Sequence, residues 1–179
     1  MVNETVYEEV LLHSNLSSEE VEDIINAADE MLERDIRTRV VGGVPAVSEE
    51  EAREALLPLI EEGKRLREEI MKEVRKNPTE YPADSVLELA NMTEDELAAF
   101  SFTVDEWDSH PEIALHSTPQ WVTCLEDAFG ISEFKKIYKG SAGLLTAKTG
   151  LQIAKCFIKR TAGFVSVMYS TYQFATCMK

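Results

Sequence analysis

The chain has 179 residues, with 33 Asp or Glu against 18 Lys or Arg and a formal net charge of −15 at pH 7. Hydrophobic residues make up 44% of it, which is enough to build a core and argues against wholesale disorder. The length fits one domain, or a small domain with an appendage. The acidic excess would repel phosphates, so nucleic acid is not expected as a partner.

Capping-box patterns mark the starts of three helices in the first hundred residues. The pattern at Ser17 predicts a helix to about Arg34. A second pattern at Ser48 predicts another helix, which Pro58 should kink or divide in two. A third at Thr93 predicts a short helix.

Ser117 or Thr118, just before Pro119, is expected to cap a further helix that runs to about Phe129 and stops at Gly130. In the connection before it, three aromatic residues should anchor a loop to the core. No stretch alternates in the manner of a strand, so the fold class predicted for the chain is all-α. The anchoring aromatic residues are Phe100, Phe102 and Trp107.

The charges divide sharply at Phe134. Residues 1–133 hold all 33 acids and ten of the 18 bases, a net charge of −23, whereas residues 134–179 hold eight bases and no acid. This split predicts two regions: an acidic helical body (residues 1–133) and a cationic C-terminal segment (residues 134–179). We expect the body to shield, carry or dock the segment.

A helix drawn over Leu144 to Tyr172 places Lys148, Lys155 and Lys159 within a sector of about 60°, with Arg160 off this stripe. A wide apolar arc mostly opposes the lysines. The pattern predicts a basic amphipathic helix, or a helical hairpin, that seeks an anionic membrane surface or the groove of a partner. The candidate membrane-binding residues are Lys148, Lys155, Lys159, Arg160, Leu151, Ile158, Phe164 and Met168.

The sequence does not decide which of the three cysteines are free thiols and which are bridged. Cys156 and Cys177 lie about 31 Å apart along an unbroken helix, whereas a disulfide needs Cα atoms within roughly 7 Å. A disulfide or other crosslink between them therefore requires a hairpin that turns near Thr161 to Gly163. Three buried or reduced thiols are equally compatible, and Cys124 is expected to be a core thiol.

No enzyme is expected, because the chain has no phosphate-binding loop, dinucleotide fingerprint or nucleophile elbow. No cofactor is implied for the same reason. His110 and His116 lie near several acids, but their spacing matches no standard ligand pattern, so no metal site is expected.

Three stretches of the C-terminal segment have a composition that is found together in one class of proteins. They are the Gly/Ala-rich stretch Gly140 to Gly143, the lysine-bearing run Lys148 to Arg160 and the aromatic run Ala162 to Met178. Together these roughly 40 residues resemble the cationic C-terminal peptide of bacteriocin-like precursors. The resemblance implies a leader that masks the peptide and a processing protease that releases it. Gly42-Gly43 resembles a double-glycine processing site, although cleavage there would leave most of the acidic body attached.

Two hypotheses follow. The first is a precursor of a membrane-active antibacterial peptide, released near residues 134–143 and secreted after processing, although the N-terminus has no standard signal peptide. Its partners would be an anionic membrane and the protease. The alternative is an intracellular, cytoplasmic adaptor: an acidic helical interaction protein with a docked C-terminal helix.

Overall fold

The computed structural model describes residues 10–41, 47–110 and 117–179; Gly42-Gly43 and His116 lie outside these ranges. Within them the chain forms nine α-helices, one 3₁₀ turn and no strand, which confirms the all-α prediction. The helices are α1 (Ser18–Val41), α2 (Glu49–Ala55), α3 (Leu57–Lys76), α4 (Ala83–Ala90), α5 (Glu94–Asp108), α6 (Gln120–Phe129), α7 (Phe134–Gly140), α8 (Ala147–Phe157) and α9 (Phe164–Met178).

Three of the four predicted helix starts are confirmed by their hydrogen bonds, whereas α6 has Pro119 at its N-cap and no side-chain cap from Ser117 or Thr118. The Ser17 hydroxyl accepts from the backbone N–H of Glu20, whose carboxylate accepts in return from the Ser17 N–H, both at 3.1 Å. The Ser48 and Thr93 caps form as well. Pro58 falls in the first turn of α3, so the chain breaks between α2 and α3 as expected.

The predicted loop around the three aromatic residues is wrong. Phe100, Phe102 and Trp107 all lie within α5, which is a 15-residue helix and not a short one. Most residues of this helix are themselves buried, on nearly every face. A helix buried all round shows no amphipathic period, so its sequence gives little sign of helical structure beyond the cap.

α5 lies at the centre of the fold and packs against α3, α8 and α9. Its approach to α3 depends on Gly63, because a Cβ atom there would lie 2.5 Å from the carbonyl oxygen of Leu97. α8 also packs on α3 and α4, whereas α9 packs on α1, α2 and α6. One hydrophobic core therefore takes residues from both the acidic body and the C-terminal segment.

The C-terminal segment is neither one continuous helix nor a hairpin of two paired helices. α8 ends at Phe157, and the chain turns through Lys159 and Gly163, whose φ angles are 61° and 95°. α8 and α9 both contact α5, but α8 otherwise packs on α3, α4 and α7, whereas α9 packs on α1, α2 and α6. None of the helices in the described ranges is long and apolar enough to cross a bilayer.

Candidate functional site

α7 is positioned by two buried aromatic side chains one helical turn apart, Phe134 and Tyr138. Their burial directs the three lysines of α7 away from the core. These exposed lysines are Lys135, Lys136 and Lys139.

α8 begins at a side-chain cap, in which the Thr146 hydroxyl accepts from the backbone N–H of Thr149 at 3.1 Å. The extended residues 10–12, which we call the strap, pair with the chain at this point. The Leu12 N–H donates to the Leu145 carbonyl at 2.8 Å, and Leu11 pairs with Thr146 in an isolated antiparallel bridge. The strap holds the start of α8 in place. Further along, apolar side chains of α8 fill the core and the polar ones face outward.

An open groove of about 790 Å³ lies between α7 and α8. Four cationic side chains line it, three of them from lysines on the exposed helix faces. We call this feature the basic groove. Its charged lining residues are Lys136, Lys148, Lys155, Arg160 and Glu133.

The positive charge of the basic groove is largely uncompensated. Lys136, Lys148 and Lys155 make no ion pair with any residue of the described ranges. Arg160 does, since its Nη1 lies 2.6 Å from Oε1 of Glu133. Hydrogen bonding by Arg160 is the main reason that the pKa of Glu133 is lowered. With four cations and one carboxylate, the groove carries a net charge of +3 in a chain of net charge −15.

The base of the groove is polar but unreactive. The hydroxyls of Thr146 and Thr149 are hydrogen-bonded to each other at 3.1 Å. The Cys156 thiol is buried and donates to the Gln152 carbonyl at 3.4 Å. Burial raises the pKa of Cys156 to about 12, so the thiol stays protonated near neutral pH and is a poor nucleophile. The cations of the groove therefore suit binding of an anion.

One end of the basic groove is apolar. Leu144 lines it and keeps 47% of its surface exposed, and Ile137 of α7 lies on the same lining. An anionic ligand bound here would contact hydrocarbon as well as charge.

Of the cations predicted from the helical wheel, the structure brings together Lys148, Lys155 and Arg160. Lys159 does not line the basic groove, because α8 ends two residues earlier and the chain turns away. Lys136 was not among the predicted site residues, since it lies on a different helix from the lysine stripe. Its only sign in the sequence is its place in the acid-free C-terminal segment.

The apolar residues predicted to insert into a membrane are used by the fold instead. Leu151 is 4% exposed and Met168 is fully buried. Ile158 and Phe164 are partly buried and pack against the core.

The pairing considered for Cys156 and Cys177 is corrected by the structure. Cys177 forms a disulfide with Cys124, with Cα atoms 5.7 Å apart, and Cys156 is a free, buried thiol. The reason is geometric: Cys156 lies next to the end of α8, whereas Cys177 lies 13 residues into α9, about 20 Å from its start. Packing of α9 on α6 brings Cys177 to Cys124 instead.

No group of three or more His, Cys, Asp or Glu side chains suitable for a metal ion occurs in the parts of the chain that the structure describes. His110 stacks on Trp121, with ring centroids 5.0 Å apart and planes at 7°. Burial lowers its pKa.

The basic groove is thus the feature with the clearest capacity to bind a ligand. No protein-family model, curated protein or solved structure matches the chain. What the groove binds is therefore argued from its own residues.

Proposed function

We propose that this chain is an interaction protein whose basic groove binds an acidic segment of a partner protein. One observation carries the proposal: Lys136, Lys148 and Lys155 converge on one concave surface without carboxylate partners in the described ranges, although the chain has 33 acids. Such a surface leaves its attraction available to an external anion.

The shape of the site favours a peptide over a membrane. A concave groove accepts a narrow ligand, whereas a flat bilayer does not match its shape. Charges interact over only about 8 Å at physiological ionic strength, so the groove attracts mainly what enters it. The buried state of Leu151 and Met168 removes two of the apolar anchors that membrane adsorption needs.

The integration of the C-terminal segment also supports the adaptor hypothesis over the precursor. α8 and α9 supply fully buried residues, among them Phe157 and Met168, to the shared core. We expect deletion of residues 141–179 to leave the body unfolded or insoluble, because a core face becomes exposed. A soluble remainder with its helical circular dichroism intact would contradict this.

The Cys124–Cys177 disulfide bears on where the protein acts. It favours an oxidising environment over the cytoplasm, which is the location expected for the adaptor.

A direct test uses a fluorescein-labelled oligoglutamate peptide and fluorescence anisotropy. The test variant is Lys148→Gln/Lys155→Gln, which removes two charges from the basic groove. The matched control is Lys139→Gln/Lys179→Gln, which removes the same charge from exposed positions outside it. We expect the test variant to weaken binding by roughly tenfold or more and the control by less than twofold.

Equal loss in both variants would mean that net charge alone attracts the peptide, and would contradict the proposal. Binding of the parent should also weaken as salt is raised. Inorganic phosphate and anionic vesicles serve as competitors. If either displaces the peptide at concentrations comparable to those of free oligoglutamate, a phosphate or membrane site is the better description.

The precursor of a membrane-active peptide is the second candidate. The observations that favour it are the exposure of Lys148 and Lys155 and the accessible turn between α7 and α8, where Ala142 is exposed. Release would have to extract α8 and α9 from the core and separate the Cys124–Cys177 bridge. A synthetic peptide of residues 141–179 should then leak dye from anionic vesicles, and the full chain should do so much less. Equal activity, or none in either, would contradict it.

A further inference from the structure

We infer that the acidic segment bound in the basic groove carries a large apolar side chain at one end, and that this side chain docks on Leu144. The inference rests on the proposed function, because it names the partner chemistry of the same site. It starts from the distribution of exposed hydrophobic residues.

Exposed large hydrophobic residues are few in the described ranges, and three of the five lie at one place. Leu144 is 47% exposed at the end of the basic groove. Leu11, also 47% exposed, pairs with Thr146, two residues away from Leu144. Val10 is 41% exposed, and its carbonyl accepts from the N–H of Ala147 at 3.3 Å. Of these three residues only Leu144 lines the groove, and Val10 and Leu11 lie beside it through their backbone pairing with Ala147 and Thr146.

The charge beside this apolar end determines what can cover it. Lys148 follows Leu144 by four residues and lies in the first turn of α8, and its ammonium group has no carboxylate partner in the described ranges. A purely apolar partner would leave this cation without compensation. A segment with an apolar side chain followed by carboxylates satisfies both parts of the groove.

The helix geometry sets the spacing within that segment. Lys148 and Lys155 are two turns apart on α8, about 10 Å along its axis. An extended peptide covers this distance in roughly three residues. The segment we infer therefore has one large apolar residue, then carboxylates spread over the next three to six positions.

The test compares two fluorescein-labelled nonapeptides in a Gly/Ser background. One carries a leucine followed by three glutamates, and the other has alanine in place of the leucine. We expect the parent protein to bind the leucine peptide roughly tenfold more tightly, which is typical of a leucine moved from water to an apolar site. Leu144→Ser should bind the two peptides equally. Leu87→Ser, which alters a leucine 64% exposed on α4, should keep the full preference.

Equal binding of both peptides by the parent, or an undiminished preference in Leu144→Ser, would overturn the inference. Leu144→Ala gives a second test if Leu144→Ser does not fold, and we expect it to reduce the preference as well. The proposed function is judged separately by Lys148→Gln/Lys155→Gln. If the leucine preference is absent but both peptides depend on these lysines, the groove binds acids without an apolar anchor; if neither peptide depends on them, the proposed function fails too.

Discussion

The carboxylate of Glu49, on α2, accepts a hydrogen bond from the backbone N–H of Phe164 at 2.6 Å, and so caps the first turn of α9. Its other oxygen accepts from the Val165 N–H at 3.3 Å. A carboxylate at a helix N-terminus satisfies free N–H groups and interacts favourably with the helix dipole. The acidic body thus holds the C-terminal segment by its backbone.

The turn before α9 is held in the same way. Asp95 accepts from the Thr161 hydroxyl at 2.7 Å and from the Gly163 N–H at 3.3 Å, and Glu96 accepts from the Lys159 N–H at 2.7 Å. Lysine side chains contribute little to this contact. In the described ranges only two ion pairs join the segment's cations to the body: Lys135 with Glu126 and Arg160 with Glu133.

We first predict that Glu49→Ala destabilises the protein by about 1 kcal/mol, the usual cost of losing a capping acceptor. The matched control is Glu50→Ala, which removes the neighbouring exposed acid from the same first turn of α2. Because both changes affect the α2 dipole alike, the difference between them isolates the contact with α9. Urea denaturation measures it, and equal midpoints for the two variants would show that the cap contributes nothing.

The second prediction concerns acid sensitivity at Asp95. Burial acts to raise the pKa of Asp95, but hydrogen bonds from Thr93, Thr161 and Gly163 outweigh it and lower the pKa from its ordinary value of 3.8. Ionised Asp95 therefore stabilises the fold above pH 3.8, and this contribution disappears as the pH falls through the lowered value.

Asp95→Asn should accordingly lower the melting temperature at pH 7, with the gap from the parent closing as the pH falls below 3.8. The matched control is Asp84→Asn, which alters an exposed acid in the first turn of α4. Thermal melts followed by circular dichroism from pH 7 to pH 2.5 measure the gap. A gap of constant size across that range would show that ionisation of Asp95 is not what holds the turn.

The sequence patterns predicted correctly the helix ends that depend on contacts between residues close together in the chain. The caps at Ser17, Ser48 and Thr93 and the stop at Gly130 all rest on contacts within a few residues, and all form. The short helices α4 and α7 were missed, because helices of this length depend on packing more than on their own propensity.

The candidate site could be predicted only in part, for the same reason. Helical spacing correctly predicted that Lys148 and Lys155 share an exposed face. The wall opposite them belongs to α7, so the contribution of Lys136 is a tertiary feature that spacing along one helix cannot reveal. The need for glycine at position 163 is also set by a tertiary contact, because a Cβ atom there would lie 2.7 Å from the carboxylate of Glu49.

Our third prediction is that Glu106→Gln stabilises the protein at pH 8. Burial, with a smaller effect from the charge of Asp105, raises the pKa of Glu106 to about 7 from its ordinary value of 4.5. The folded state thus binds the proton more tightly than the unfolded state, and stability is lost as the pH rises from 4.5 through 7. The gain in the variant should approach about 3 kcal/mol above pH 7 and vanish near pH 4.5.

Chemical denaturation at both pH values checks this, with Glu88→Gln on the exposed face of α4 as the control for net charge. The control should change stability by less than about 0.5 kcal/mol at either pH. A Glu106→Gln variant that is no more stable than the parent at pH 8 would show that the carboxylate is ionised without penalty.

The fourth prediction follows from the bridge between Cys124 and Cys177, which closes a loop with a sequence separation of 53. Cross-linking a loop of this length restricts the unfolded chain, and reduction should cost about 4 kcal/mol. Cys124→Ser/Cys177→Ser should be destabilised to the same extent and be insensitive to reductant. Cys156→Ala is the matched control: its stability should still fall when dithiothreitol is added, because the buried thiol takes no part in the bridge. If Cys156→Ala loses the response to reductant, Cys156 is a bridge partner, and the pairing of Cys124 with Cys177 is wrong.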